Sequence, residues 1–388
     1  MTDYFNFDTP VDRSGTYSMK WDKYKGKDII PLWVADMDFL SPPAVIDALS
    51  ESVKHGIFGY TLPPDELSAI IGRMLEEEYG WKTEKEWIVW LPGLVTGLNV
   101  VCRAVGEDGD DIMTAIPVYP PFITAPANSR RNLIKTHLVE KNDKWGFDFE
   151  NIEKAITKRT RLFLLCNPHN PVGRVYNIDE LISLASICSR HSIIISSDEI
   201  HCGLLFEPGK RHIPIASLSL EIADRTITLM APSKTFNLPG LGCSFAIISN
   251  PDLRKSFTVA MNGIVPRVNT LGYIAAIAAY RDSHDWHAAL LDYLRENRDL
   301  VLSSVNKMPG LSSRQIEATY LAWIDTRQSG IEDPVKFFED AGVGLFEGKE
   351  FGTPGFVRLN FGCRRSLLKK ALERMAIAVE RRLRTTKS

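Results

Sequence analysis

The sequence has few cysteines and no pattern among them. Six cysteines occur among 388 residues, and none belongs to a C-x-x-C pair. Structural zinc sites and the disulfide frameworks of small secreted domains both depend on regularly spaced cysteines. We therefore expect no metal site and no disulfide framework. The six thiols, expected to be reduced, are Cys102, Cys166, Cys188, Cys202, Cys243 and Cys363.

An excess of one charge and long apolar runs are also missing. The formal net charge is -2, from 46 Lys and Arg against 48 Asp and Glu. This balance gives no general attraction to nucleic acid or to an anionic membrane. No stretch reaches the length of a membrane span, and residues 1–8 lack the apolar core of a secretion signal. The sequence predicts a cytoplasmic protein that binds neither nucleic acid nor membrane.

The length of the chain favours more than one domain, because 388 residues exceed one compact core of ordinary size. No internal repeat or low-complexity segment divides it. We expect an N-terminal segment (1–45) that packs on the small domain or on a partner, a large domain (46–284) and a small C-terminal α+β domain (285–388). The predicted C-terminal elements are helices at Asp285–Asn306, Pro334–Ala341 and Arg365–Arg384, and strands at Tyr320–Ile324 and Phe356–Phe361.

The middle of the chain predicts an α/β fold. Between two apolar runs, residues 178–191 place Leu181, Leu184 and Cys188 on one helical stripe, which is typical of a βαβ unit with parallel strands. Ligands gather at the carboxyl ends of such strands. The runs are short and unalternating, as in strands buried on both faces, and cover Asp111–Ile116, Leu162–Cys166, Ile193–Ser197, Ile227–Met230 and Phe245–Ile248.

One lysine follows a predicted buried strand. The segment Ala231–Asn237 comes directly after Ile227–Met230 and places Lys234 at the end of the sheet. A partly desolvated amine loses basicity, becomes nucleophilic near neutral pH and can hold an aldehyde cofactor as a Schiff base. Taken alone, the segment favours an ordinary solvated lysine. The other strand ends decide between these alternatives.

Two further strand ends offer groups to a ligand. A turn at Gly93 opens a helix, whose free N–H groups could hold a phosphate; a plain strand-to-helix turn is the alternative. Tyr119 lies in the proline-braced loop Pro117–Phe122 and could stack on a planar ring, or simply pack.

An asparagine and an aspartate end two more strands. Asn170 lies in the loop Asn167–Gly173, where prolines could fix its amide towards a ligand oxygen or only form a turn. Asp198 ends the strand Ile193–Ser197, and a buried carboxylate there needs a cation or a donor. A protonated pyridine nitrogen would serve, and helix capping is the alternative. The order of phosphate turn, aromatic loop, asparagine loop, aspartate and lysine argues against coincidence.

Together these segments resemble fold type I pyridoxal phosphate enzymes, specifically the cystathionine β-lyase (cysteine-S-conjugate β-lyase) subfamily. His169 in the asparagine loop and the ending Asp198-Glu199-Ile200-His201 favour this subfamily over ordinary aminotransferases. The resemblance implies a large domain with a mostly parallel seven-stranded sheet that binds pyridoxal 5'-phosphate. The matching motifs are Lys20–Asp22, Trp33–Phe39, Gly59-Tyr60, Pro117–Phe122, Asn167–Gly173, Ser197–His201, Ala231–Asn237, Glu317–Trp323 and Phe356–Asn360.

The resemblance also implies site residues. Lys234 would be the catalytic residue and the covalent anchor of the cofactor. Arg358 would clamp the substrate α-carboxylate with a bidentate fork, with a structural salt bridge as the alternative. The other implied cofactor contacts are Asp198 at the pyridine nitrogen, Asn170 at the ring 3-oxygen, Tyr119 stacked on the ring, His201 where aminotransferases often carry a tyrosine, the N–H groups of Gly93, Leu94 and Val95 at the phosphate, Ser233 beside them, and Tyr60 from a second subunit. Asn170, Tyr119 and Ala35 complete the implied substrate contacts.

Two positions depart from the aminotransferase pattern. The position eight residues after the lysine, often an arginine that neutralises the phosphate, is Gly242. The position three residues before it, often serine, is Ala231. Both departures fit the lyase subfamily better, and the phosphate must depend more on the helix start and on the second subunit's Tyr60.

Three functions follow from the resemblance. The first is α,β-elimination on L-cystathionine or a related L-cysteine S-conjugate, giving a thiol, pyruvate and ammonia. The second is amino-acid transamination on the same cofactor, because the same site can begin both reactions. The third, from another class, is a regulatory binding protein that modulates a transcription activator. The resemblance implies a homodimer with its sites at the interface.

Overall fold

The computed structural model describes residues 5–386, so residues 1–4 of the predicted N-terminal segment and residues 387–388 lie outside the described residues. The α-helices are α1 (Met19–Asp22), α2 (Pro43–His55), α3 (Asp65–Tyr79), α4 (Leu94–Ala104), α5 (Pro120–Asn128), α6 (Phe149–Ala155), α7 (Ile178–Arg190), α8 (Leu220–Asp224), α9 (Pro251–Met261), α10 (Thr270–Asp282), α11 (His284–Val305), α12 (Pro334–Asp340) and α13 (Arg365–Thr386). No helix of this part of the chain is long and apolar enough to cross a membrane.

The β-strands form one large sheet and two small ones. They are β1 (Ile30–Pro31), β2 (Ile88–Leu91), β3 (Asp111–Ile116), β4 (Asn132–Lys141), β5 (Lys144–Phe147), β6 (Thr160–Cys166), β7 (Ile194–Asp198), β8 (Thr226–Met230), β9 (Ser244–Ile247), β10 (Ser312–Ser313), β11 (Leu321–Asp325), β12 (Val343–Gly344), β13 (Phe346–Glu347) and β14 (Phe356–Asn360). The five runs predicted as buried strands are β3, β6, β7, β8 and β9, with ends shifted by no more than two residues.

The large sheet has the order β2-β9-β8-β7-β6-β3-β4-β5. Its central neighbours from β8 to β4 are parallel, whereas β9 runs antiparallel to both β2 and β8. The predicted mostly parallel α/β sheet is therefore confirmed. The sheet has eight strands, whereas the resemblance implied seven. Its edge strand β5 follows β4 through a two-residue hairpin, in which Asn142 and Asp143 both adopt positive φ.

Helices cover both faces of this sheet. Ile112 and Ile116 of β3 pack into one cluster with residues of α4 and α5, and Met113 and Ala115 pack into another with residues of α7. Side chains alternate along a strand, so both faces of β3 are buried, as its unalternating sequence predicts. The helix α7 begins with the capping box Asn177–Glu180.

The segment after Tyr119 corrects an expectation. Pro120 to Phe122 was expected to be loop, but Tyr119 is the N-cap of α5 and the prolines occupy its first turn. Proline is favoured there because a first-turn N–H has no helical partner in any case.

The second sheet, β10-β11-β14-β13, is antiparallel and lies in the C-terminal part of the chain. Strand β1 pairs in parallel with β12, through Ile30 and Val343. Phe7, Leu32 and Met37 share one core cluster with C-terminal residues such as Leu290 and Phe361. The N-terminal segment therefore packs on the C-terminal part, while the domain boundaries at 45 and 284 stay predictions.

Candidate active site

A cavity of about 210 Å³ lies at the carboxyl ends of β2, β3, β6, β7 and β8. These five strands run in the same direction, so their carboxyl ends lie together at one edge of the sheet and surround the cavity. Most of the predicted site residues line this cavity: Ala35, Gly93, Leu94, Val95, Tyr119, Asn170, Asp198, His201, Ser233 and Lys234.

The side chain of Lys234 contacts the backbone of the N-terminal segment. Its Nζ donates a hydrogen bond of 2.6 Å to the carbonyl oxygen of Ala35, and the hydroxyl of Tyr320 donates to the same oxygen at 2.9 Å. Removal of the amine from bulk water, reinforced by the positive charge of Arg358, lowers the pKa of Lys234 to about 8. The structure thus gives this lysine the reduced basicity that its sequence position suggested.

Asp198 is buried at the end of β7. One carboxylate oxygen accepts a hydrogen bond of 3.1 Å from the N–H of Ile200. Burial raises the pKa of Asp198 to about 7, and the hydrogen bond from Ile200 opposes the shift only in part. A cationic N–H group in the cavity would stabilise the charged carboxylate.

Arg358 lies in β14 and is buried beside the cavity. Its Nη1 donates to Oδ1 of Asn170 at 3.0 Å, and its Nη2 donates to the carbonyl oxygen of Trp33 at 2.9 Å. The rings of Phe346 and Phe351 lie 5.0 and 4.8 Å from the guanidinium carbon. Burial lowers the pKa of Arg358 to about 10. No carboxylate of the described residues pairs with this cation, and its Nε has no hydrogen-bond partner.

Two histidines have different surroundings. His169 is fixed between neighbours, because its Nε2 donates to the carbonyl oxygen of Pro117 at 2.8 Å and its Nδ1 accepts from the hydroxyl of Tyr176 at 2.9 Å. His201 lines the cavity, and its buried Nδ1 has no partner among the described residues. Burial lowers the pKa of both imidazoles, so both are neutral near pH 7. His201 can therefore exchange a hydrogen bond with a ligand.

The turn at Gly93, predicted to hold a phosphate, has free space around it. Gly93 is the N-cap of α4, and a Cβ atom added to it would meet nothing within 4 Å. Gly242 is different, because its φ is +59° and an added Cβ would lie 2.9 Å from the carbonyl oxygen of Pro92. An arginine at this position would be strained and crowded. The departure at Gly242 therefore has a local structural cause.

Tyr60 is the predicted cofactor residue that this chain does not bring to the cavity. It is fully exposed and lines a separate groove.

For one segment the resemblance implied only a substrate contact at Ala35, and this residue lines the cavity. We call residues 33–39 the strap. The lysine loop holds one end, since Asn237 Oδ1 accepts from the N–H of Met37 and its Nδ2 donates to the carbonyl oxygens of Met37 and Phe39. Strand β14 holds the other end, through Arg358 at Trp33 and through the Asn360 amide, which donates to the carbonyl oxygens of Val34 and Asp36.

Charged side chains also hold the strap through its two aspartates. Lys20 is fully buried and donates to Asp38 at 2.7 Å. Arg13 pairs with Asp36 at 2.8 Å and with Asp38 at 2.7 Å. The Trp33–Phe39 motif was the available signal, but it did not reveal that the backbone carbonyl of Ala35 accepts a hydrogen bond from Lys234.

Comparisons with known proteins agree on one family. The model of the class I and II aminotransferase family matches residues 27–375. Cystathionine beta-lyase PatB of Bacillus subtilis is 36% identical over 387 residues, covering 96% of this chain and 100% of the relative. The crystal structure of OvoB superposes with a TM-score of 0.95 at 46% identity, covering 97% of this chain and 99% of that chain. The pyridoxal-phosphate-bound C-S lyase of Staphylococcus hominis superposes with a TM-score of 0.90 at 32% identity, covering 97% and 98% of the two chains.

Proposed function

This chain belongs to the class I and II aminotransferase family, with the fold of the type I pyridoxal phosphate enzymes, and we propose that it is a carbon–sulfur β-lyase. Its substrate is L-cystathionine or a related L-cysteine S-conjugate. One observation carries the proposal: Lys234 and Asp198 line one cavity at adjacent strand ends, beside a buried arginine that has no carboxylate partner. The named lyase activities of similar proteins support it.

The residues of the cavity fit pyridoxal phosphate. The start of α4 is open at Gly93, where unpaired N–H groups and the positive end of the helix dipole suit a phosphate. The raised pKa of Asp198 suits a facing cationic N–H, such as a pyridinium. The unpartnered Nδ1 of His201 leaves a polar atom for a ring substituent. Lys234 would hold the aldehyde carbon, and Tyr119 would cover the ring.

Different side chains carry out the separate steps of the proposed elimination. When bound, pyridoxal phosphate supplies an electron sink for negative charge at the substrate Cα. Arg358 binds the substrate α-carboxylate and fixes the orientation of Cα. Once the substrate amino group has displaced it from the aldehyde carbon, the free Lys234 Nζ, held close to Ala35, removes the Cα proton as general base, which its pKa of about 8 permits near neutral pH. The electron pair of the broken carbon–sulfur bond leaves with sulfur as a thiolate, and the remaining fragment hydrolyses to pyruvate and ammonia.

The proposal includes a homodimer in the cytoplasm. An exposed apolar group at residues 57–62 supports the dimer, because contiguous exposed apolar surface marks interaction sites. Tyr60 belongs to this group and would reach the phosphate held by the second subunit. All six cysteines are unpaired, which suits a reducing compartment. The exposed apolar side chains of the group are Ile57, Phe58, Tyr60 and Leu62.

Product release without an acceptor tests the reaction class. We expect purified protein loaded with cofactor to release equal amounts of pyruvate and thiol from L-cystathionine when no keto acid is added. Lys234→Ala should release neither, whereas Lys85→Ala, which changes an exposed lysine, should behave as wild type. A strict requirement for a keto acid would identify an aminotransferase and contradict the lyase proposal.

A further inference from the structure

The phosphate end of the cavity is short of positive charge. Among the described residues that line the cavity, Lys234 is the one charged cation, and it is committed to the other end of the cofactor. A phosphate monoester carries a charge of about -1.5 to -2 near pH 7, whereas a helix start offers roughly half a positive charge. Position 242 cannot supply the missing cation, because its backbone geometry favours glycine.

An arginine without a partner lies close to this end of the cavity. Arg267 is exposed and forms no ion pair or hydrogen bond with any residue that the structure describes. Two residues further on, Asn269 Nδ2 donates to the carbonyl oxygen of Leu241 at 2.7 Å. Leu241 precedes Gly242, which lines the cavity. The segment that carries Arg267 is therefore anchored at the cavity rim.

Arg267 and Tyr60 line the same surface groove. One wall is formed by residues 58–61 and the other by residues 266–271. The two walls are joined by Thr270, whose hydroxyl bonds the hydroxyl of Thr61 and donates to the carbonyl oxygen of Gly59 at 3.4 Å. Arg267 does not line the cavity of its own chain. A dimer that delivers Tyr60 to the second subunit therefore delivers Arg267 with it.

A two-fold axis would bring these features together. In a symmetric dimer the same surface patch is used by both subunits, so the groove of one subunit can face the cavity rim of the other. Val95 marks that rim, since it both lines the cavity and is exposed. The unpaired cation of one subunit is then complementary to the phosphate site of the other.

We propose that Arg267 of each subunit binds the cofactor phosphate held by the opposite subunit and compensates for glycine at position 242. The proposal rests on the function and the dimer proposed above. It assigns Arg267 to phosphate binding and gives it no part in proton transfer or carbon–sulfur cleavage.

Cofactor affinity tests the residue. The affinity of dimeric apoprotein for pyridoxal phosphate is measured by fluorescence titration for wild type, Arg267→Ala, Arg267→Lys and Arg103→Ala. Arg103→Ala is the control, because Arg103 is exposed and lies at the opposite end of α4 from Gly93. Loss of one charge-assisted contact should raise the Kd of Arg267→Ala about tenfold or more. The Kd of Arg267→Lys should lie between those of wild type and Arg267→Ala, and the Kd of Arg103→Ala should match that of wild type. Inorganic phosphate should raise the melting temperature of wild-type apoprotein more than that of Arg267→Ala.

Mixed dimers test whether Arg267 binds the cofactor phosphate of its own subunit or of the opposite subunit. A dimer of one Lys234→Ala subunit and one Arg267→Ala subunit keeps Lys234 in the subunit that faces an intact Arg267. The one site that retains Lys234 should bind the cofactor with wild-type affinity. Borohydride reduction at limiting cofactor should therefore fix one cofactor per mixed dimer. A dimer of one wild-type subunit and one Lys234→Ala/Arg267→Ala subunit should instead bind its cofactor about tenfold or more weakly.

The outcomes separate this inference from the proposed function. Weak binding in the first mixed dimer and tight binding in the second would place Arg267 in its own subunit's site and overturn the proposal. Equal cofactor affinity of wild type and Arg267→Ala would also overturn it while leaving the lyase reaction intact. A wild-type protein that binds no cofactor would instead defeat the proposed function.

Discussion

Arg358 Nη1 donates a hydrogen bond of 3.0 Å to Oδ1 of Asn170, across 188 residues of sequence. The contact joins a strand of the C-terminal sheet to the loop after β6. It also orients the Asn170 amide, because an oxygen that accepts from Arg358 leaves the amide nitrogen free to donate to another acceptor. Asn170 lines the cavity, so Arg358 and Asn170 are positioned as one unit, and the substrate and cofactor roles proposed for them would be coupled.

Arg358→Lys should impair substrate binding far more than cofactor binding. An ammonium group cannot reach Asn170, Trp33 and a substrate carboxylate with the fork of a guanidinium. We expect kcat/KM for L-cystathionine to fall at least about 100-fold, mainly through KM. Arg327→Lys, on an exposed arginine, is the matched control. An unchanged KM in steady-state pyruvate assays would argue against Arg358 as the carboxylate clamp.

Asp198→Asn should stabilise the apoprotein in a pH-dependent way. Burial raises the pKa of Asp198 from 3.8 to about 7, so its contribution to stability is complete below pH 4 and is lost as the pH rises through 7. At pH 8 the asparagine variant should be more stable than wild type by about 2 to 4 kcal/mol, and the gain should disappear towards pH 4. Urea unfolding of apoproteins measures this difference.

Two controls sharpen the Asp198 experiment. Asp224→Asn, on an exposed aspartate, should show no comparable gain. Added pyridoxal phosphate should stabilise wild type much more than Asp198→Asn, because the cofactor supplies the missing cation. A constant difference between pH 4 and pH 8 would contradict the role given to burial.

The amine of Lys234 should react with the cofactor at unusually low pH. Its pKa is lowered from 10.5 to about 8, chiefly by burial, and only the neutral amine attacks an aldehyde. The rate of cofactor incorporation into apoprotein, followed by absorbance in a stopped-flow instrument, should rise with pH and level off above about 8. The same reaction of Nα-acetyl-lysine should keep rising towards pH 10. A profile that follows the model compound would show an unperturbed lysine.

His169 should make the protein sensitive to acid. Burial lowers the pKa of His169 from 6.5 to about 4, so its contribution to stability is complete above pH 6.5 and is lost as the pH falls towards 4. That loss amounts to as much as about 3 kcal/mol. His169→Gln keeps a donor for the carbonyl oxygen of Pro117 but cannot titrate. Its unfolding free energy should fall less steeply over this range than that of wild type.

The fold was predictable where burial produces a recognisable pattern of apolar residues in the sequence. Strands buried on both faces appear as short apolar runs in the sequence, and residues just beyond their carboxyl ends line the cavity. Strands β4 and β5 were not predicted: most side chains of β4 are at least partly exposed, and Lys144–Phe147 is only four residues long and contains a glycine. The start of α5 was not predicted because adjacent prolines are typical of loops as well as of the first turn of a helix.

The lining of the cavity was predictable where a polar side chain follows a strand end, as with Lys234, Asp198 and Asn170. The strap was not, because its contacts use backbone carbonyls, which every residue possesses. No residue type at position 35 announces that its oxygen will accept from Lys234, which lies 199 residues further along the chain. The proposed second-subunit contacts of Tyr60 and Arg267 were inaccessible to spacing arguments for a similar reason, since no distance along one chain encodes them.

The strap also fixes when the active site can exist during synthesis. The Asn360 amide that holds the carbonyl oxygens of Val34 and Asp36 is made 326 and 324 residues after them. A nascent chain that has passed β9 already contains every strand of the large sheet and the lysine. It still lacks β14, so residues 33–39 have no second anchor. The ribosome therefore releases the strand ends that line the cavity well before β14, the strand that anchors residues 33–39 beside them.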